Sequence, residues 1–191
     1  MSTRPRAILD ACVLVPFTIR DVLLTAAEDN FYHPLWSTNV LNEMERAIIR
    51  IAACTPQQLL HLRKHMNEAF PEALVSGYEP RIPAMTNDPK DRHVLAAAVH
   101  SSAGIIVTEN LRHFTQSTTT PHHVVAMSVD NFLCDLLDFD PERFVAMLVA
   151  LSRERRGGDI IMLLERIYPI APRVARLVAF YLDISAPGRQ G

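Results

Sequence analysis

The sequence predicts an α/β fold, a central parallel sheet flanked by helices, followed by a purely helical C-terminal stretch. Three observations predict it. Short apolar runs ending on a polar residue, RAILD at 6–10 and IIVTEN at 105–110, read as strands buried on both faces. Helical patterns of ten or more residues lie between them, and strands alternating with helices imply parallel pairing. Beyond residue 139 every apolar pattern is helical.

The first strand, 6–9, stops at Asp10. Helical patterns follow over 18–28, over 38–51 with Ser37 and Thr38 as candidate caps, and over 56–70. Residues 74–90 carry Gly77, Pro80, Pro83 and Pro89, so they form a connection with room for one short strand. A helix over 89–100 comes next, then the strand at 105–108. A third strand at 124–127 leads to Ser128, a cap for a helix through Asp138 with Asp130 and Asn131 in its first turn. The remaining helices, 141–153, 159–167 and 172–182, are separated by Gly157-Gly158 and Pro169.

Composition removes several function classes. A chain of 191 residues with 49% hydrophobic content is long enough to bury a core, and 6 glycines leave no Gly-rich phosphate cradle. Cys12, Cys54 and Cys134 are odd in number and lack zinc-ligand spacing, which reads as reduced thiols in a cytoplasmic protein. No stretch has the length or apolarity of a membrane span or a leader peptide. A net charge of -2 gives no overall attraction to phosphate, so nucleic-acid binding would need a local basic surface or metal ions.

Four polar residues are placed for chemistry. Ligands of open α/β sheets bind beyond the carboxyl ends of the strands. Asp10 and Asn110 follow strands, while Glu43 and Asp91 lie near the N-termini of helices, which face the same edge. Carboxylates converging there repel one another unless divalent cations neutralise them. Oxygen-only ligation suits Mg²⁺ or Mn²⁺, and such an ion can acidify a water for attack on a phosphodiester.

RAILDACVL, WSTNVLNEMER, NDPKDRHVLAAAV and IIVTENLRHF resemble, in that order, the sequence blocks of bacterial PIN domains, above all the toxin subunits of VapBC-type toxin-antitoxin pairs. The resemblance covers roughly residues 6–135. It implies a PIN-like nuclease domain over 1–138 with a helical extension over 139–191. Asp10, Glu43 and Asp91 become acidic metal ligands, with Mg²⁺ or Mn²⁺ as cofactor and RNA (tRNA, rRNA or mRNA) as substrate. A cognate antitoxin and a homodimer are the implied partners. The fourth acidic position of the family falls on Asn110, an amide that can ligate or orient but adds no charge. Glu109 or Asp88 are candidates to supply the missing carboxylate, and Ser37 and Thr108 are candidate donors that orient the others.

Further residues carry two readings each. Arg92 either binds a phosphate oxygen or holds Asp91, or is an exposed arginine at a helix start. His93 and His113 are read first as structural or solvated, with a role toward RNA second. His61 and His65 lack the glutamate of HExxH and read as exposed. Arg112 and the run Arg153, Arg155, Arg156 form either an RNA-tracking surface or a solvated basic face. Two rivals remain. A HAD-type phosphatase needs a DxD motif, whereas this chain reads Asp10-Ala11-Cys12. A PIN-fold module that binds RNA or protein without cleaving is the other, with Asn110 as its support.

Overall fold

The computed structural model describes residues 4–51, 54–154 and 158–188; Arg155 and Arg156 of the basic run lie outside the described residues. Five strands form one parallel sheet: β1 Arg6–Leu9, β2 His33–Ser37, β3 Leu74–Val75, β4 Ile105–Val107 and β5 Val125–Met127, in the order β3-β2-β1-β4-β5. The expected α/β class with a parallel sheet and flanking helices is therefore what the chain adopts.

Contacts divide the chain into two units: residues 1–16 with 32–127, and residues 17–31 with 128–191. The first holds the whole sheet with the short helix α1 Ala11–Leu14, α3 Thr38–Ile51, α4 Pro56–Ala69, α5 Arg92–His100 and the short α6 Gln116–Thr119. Its core is Ala7, Ile8 and Leu9 of β1, Ile106 and Val107 of β4, and the continuous buried run from Val94 to Ala98 of α5, which packs on β1, β2 and β4. Short aliphatic and alanine side chains at that helix face let it lie close on the strands.

The strand β2 is missing from the sequence expectation; HPLWS begins with His33-Pro34, and proline ordinarily argues against an inner strand. The ladder shows why it is tolerated. His33 N donates to Pro5 O on the β1 side, and Trp36 N donates to Ala73 O on the β3 side. Alternation turns the nitrogen of Pro34 toward β3, whose pairing begins only at Trp36 opposite Leu74, so no ladder hydrogen bond is lost.

Helix starts follow local chemistry. Ser37 Oγ accepts from Val40 N at 3.2 Å and starts α3. Thr55 and Gln58 form a reciprocal capping box ahead of Pro56 in α4. The helix expected from residue 89 begins at Arg92 instead. Asp88 Oδ1 accepts from Lys90 N at 3.0 Å, and this side-chain turn competes with helical pairing and leaves Asp91 as the N-cap residue.

The second unit is helical: α2 Phe17–Glu28, α7 Val129–Phe139, α8 Pro141–Glu154, α9 Ile160–Ile167 and α10 Pro172–Tyr181. Helix α2 packs on α8 and α9, and α10 on α7 and α9. Ser128 caps α7 as expected, accepting from Asn131 N. The buried Asp130 does more than complement the α7 dipole. Its carboxylate accepts from the amides of Arg173 and Val174 at 2.9 and 3.0 Å and so caps α10 from another helix. Among the described residues no helix is long and apolar enough to cross a membrane.

Candidate active site

Strand β1 delivers Asp10 to its carboxyl end. The amide of Asp10 donates to Val107 O at 3.0 Å, extending the pairing with β4 by one step, and its carboxylate turns back as the N-cap of α1, accepting from Ala11 N at 2.7 Å. The side chain is buried, 3% exposed. Its other oxygen, Oδ2, accepts from Thr108 Oγ1 at 2.6 Å and from Cys12 Sγ at 3.2 Å. Burial raises the pKa of Asp10 above the ordinary carboxylate value; the Thr108 and Cys12 hydrogen bonds pull it down, and the nearby charge of Asp91 adds to the rise.

Thr108 is fully buried just past β4. Its amide is tied to Met127 O, and its hydroxyl, while donating to Asp10, accepts from Asn110 N at 3.0 Å. The cysteine beneath them is held as a thiol: burial and the adjacent Asp10 push Cys12 up to about 12. The amide of Glu109 donates to its sulfur at 3.3 Å.

Helix α3 carries Glu43, and α5 carries His93 against it. His93 Nε2 lies 3.2 Å from Glu43 Oε1, close enough for an ion pair but without the alignment of a hydrogen bond, so both buried ring nitrogens lack a hydrogen-bond partner. Asp91, at the N-cap of α5, has Oδ2 2.5 Å from His113 Nδ1.

Asp10, Glu43, Asp91 and Asn110, from four separate elements, line one open cleft of about 660 Å³. Lys90, Arg46 and Arg50 line it too. Glu43, Arg46, Ala47 and Arg50 stand at i, i+3, i+4 and i+7, one face of α3. The supporting candidates sit elsewhere: Ser37 caps α3, Thr108 lies behind Asp10, and Arg92 Nε donates to Asn87 O at 3.3 Å. Asp88 closes its own turn, yet among the described residues it is Asp88, Asp91 and His113 whose ligand atoms lie within 4.8 Å of one another.

The structure adds contacts the sequence reading did not anticipate: His93 and His113 each touch a cleft carboxylate, and Cys12 and a basic wall of Arg46, Arg50 and Lys90 line the same cleft. For the wall the signal was present, since Arg46 and Arg50 follow Glu43 at helical spacing. For the histidines none existed, because their partners are 50 and 22 residues away in the chain.

The chain belongs to the PIN domain family: residues 6–112, more than half of it, match the family model described as PIN domain. Over 79 residues it is 44% identical to a protein of Mycobacterium tuberculosis named "Putative ribonuclease VapC50". The aligned stretch is 41% of this chain and 47% of that protein, so the chain spans about half the length of the curated relative it matches. No solved structure matches.

The donor set fits a divalent cation, which the family implies. Three carboxylate residues and an asparagine line one cleft, and oxygen donors are the kind a hard cation takes. The rise in the Asp10 pKa from burial and from Asp91 is the penalty that such a charge would reverse.

Proposed function

We propose that the protein is a divalent-cation-dependent endoribonuclease, acting as the toxin of a type II toxin-antitoxin pair. The observation that carries this reading is the convergence of Asp10, Glu43 and Asp91 on a cleft whose opposite charges are Arg46, Arg50 and Lys90. Acidic groups alone would repel RNA, and basic groups alone would bind it without cleaving. Both together suit a site that holds a phosphodiester and hydrolyses it.

Asp10, Glu43 and Asp91 would hold the ion, and Asn110 would contribute an amide oxygen or orient a water. Mg²⁺ or Mn²⁺ bound there would supply Lewis acidity, making a water more acidic and offsetting charge on the phosphoryl oxygens. The chain's own groups then have defined tasks. Arg46, Arg50 and Lys90 draw the backbone phosphates into the cleft. Thr108 holds Asp10 in one orientation, which limits how far the acidic cluster must reorganise during reaction. In hydrolysis the attacking water oxygen forms the new P–O bond as the bond to the departing ribose oxygen breaks, and that oxygen takes up a proton.

The name of the Mycobacterium tuberculosis relative supports the ribonuclease reading over other hydrolases. A cytoplasmic site of action, a cognate antitoxin that covers the cleft, and a homodimer are parts of the same proposal. RNA in the form of tRNA, rRNA or mRNA is the substrate class.

The test is incubation of mixed tRNA and rRNA with partner-free protein in Mg²⁺ or Mn²⁺, in EDTA, and with Asp10→Asn. Cleavage that disappears in EDTA and in the variant is expected. Intact RNA in every lane from folded, cation-binding protein would favour the non-cleaving module, the reading that the neutral Asn110 supports. The toxin role predicts growth arrest on expression, relieved by a small protein encoded beside it; unimpaired growth would count against it.

A further inference from the structure

Asp91 stands where an aspartate ordinarily caps its own helix by accepting from the second or third amide, yet its carboxylate makes no such bond. What holds it comes from the turn that follows β4. His113, the last residue of the 3-10 turn Leu111–His113, places Nδ1 2.5 Å from Asp91 Oδ2. The far side of the ring decides which nitrogen carries the proton. Arg112 Nε donates to His113 Nε2 at 3.1 Å, and a guanidinium only donates, so Nε2 is the acceptor and Nδ1–H donates to Asp91. The turn is itself fixed: His113 N donates to Asn110 O at 2.8 Å, and His113 O accepts from Asp88 N.

We propose that His113 is a positioning residue for Asp91, locking one carboxylate oxygen so that the other is presented to a cation in a single orientation. This rests on the cation-dependent nuclease reading of the same cleft. Asp88, Asp91 and His113 are close enough together to share an ion, but both imidazole nitrogens are already engaged, so His113 acts on the ligand and is not one itself. The segment after β4 then serves two carboxylates, with Thr108 holding Asp10 and His113 holding Asp91. Partners of metal ligands at this remove typically change affinity or activity by ~10–100-fold when removed.

The experiment compares wild type, His113→Ala and His113→Asn, since an asparagine amide can reach the place of Nδ1. Calorimetric titration with Mn²⁺ in the absence of RNA should show affinity weakened by ~10–100-fold in the alanine variant and largely recovered in asparagine. Turnover of RNA should fall in parallel, with KM for RNA unchanged. Nitrogen-15 NMR of the wild-type ring should show the proton on Nδ1. Wild-type Mn²⁺ affinity in His113→Ala, or a proton on Nε2, would overturn the proposal. Wild-type protein that binds Mn²⁺ but cleaves no RNA would remove the nuclease reading while the affinities and the ring proton still decide the role of His113. Wild-type protein that binds no Mn²⁺ would remove both.

Discussion

Thr108 Oγ1 donates to Asp10 Oδ2 at 2.6 Å and accepts from the amide of Asn110 at 3.0 Å, so one buried hydroxyl joins the end of β1 to the loop leaving β4. Asp10 is 3% exposed, and a carboxylate that deep depends on each donor it has. Thr108→Val keeps the shape and removes the hydroxyl. We expect it to cost about 2 kcal/mol in urea unfolding at neutral pH, the range for a hydrogen bond to a charged group, with Thr108→Ser recovering most of it. A valine variant as stable as wild type would mean that the other donors to Asp10 suffice.

The pKa of Asp10 is raised in the folded protein, first by burial, and this sets a pH dependence in EDTA. A carboxyl raised on folding binds its proton more tightly in the native state than in the unfolded chain. Its favourable contribution is therefore complete below the unfolded value, near 3.8, and is lost as pH climbs through the folded value. Asp10→Asn mimics the protonated state at every pH. The variant should melt higher than cation-free wild type at pH 7, and the two should converge as pH falls toward 4. Added Mn²⁺ should raise the melting temperature of wild type and leave the variant nearly unchanged. A melting difference that does not vary with pH would show that charge at Asp10 is not its source.

Cys12, half-buried beside Asp10, is pushed up to about 12 by desolvation and by that carboxylate, so its reactive thiolate is scarce at neutral pH. Iodoacetamide at pH 7.5, followed by peptide mass spectrometry, should leave Cys12 unmodified in the folded protein over times that alkylate it fully in urea. Rapid modification of native protein at Cys12 would contradict this environment.

Much of the fold was legible because its signals are local. Ile8, Leu9, Ile106 and Val107 are buried and read as parts of continuous apolar runs, and Ser128 marks a helix start within four residues of sequence. Strand β2 was not legible: Pro34 is acceptable only because β3 is too short to reach the donor that proline lacks, a fact about Leu74 and Val75. The site divides in the same way. Asp10 and Asn110 are announced by the strands they follow, and Glu43 and Asp91 by their place near helix starts. The contacts of His93 with Glu43 and of His113 with Asp91 join elements distant in the chain, α3 to α5 and α5 to the turn after β4, and neither leaves a periodic trace. Asp130 likewise reads as a first-turn charge on α7, while its carboxylate caps α10 more than forty residues on.

The basic wall of the cleft leads to a prediction about binding that is separable from chemistry. Arg46 and Arg50 are exposed, line the cleft, and lean their Nε groups on backbone carbonyls of α3 at 3.2 and 3.3 Å, which leaves the terminal nitrogens of each guanidinium for a phosphate. If each contacts one phosphate of a single strand, removing one should lower the slope of log affinity against log salt by ~0.7, and removing both by about twice that. The measurement is RNA binding by the Asp10→Asn protein, alone and combined with Arg46→Gln or Arg50→Gln, from 50 to 200 mM salt. Weaker binding with a shallower slope is expected, together with unchanged Mn²⁺ affinity in the single arginine variants of the otherwise wild-type protein. An unchanged slope would show that the strand enters the cleft by another wall, leaving Lys90 as the cation that guides it.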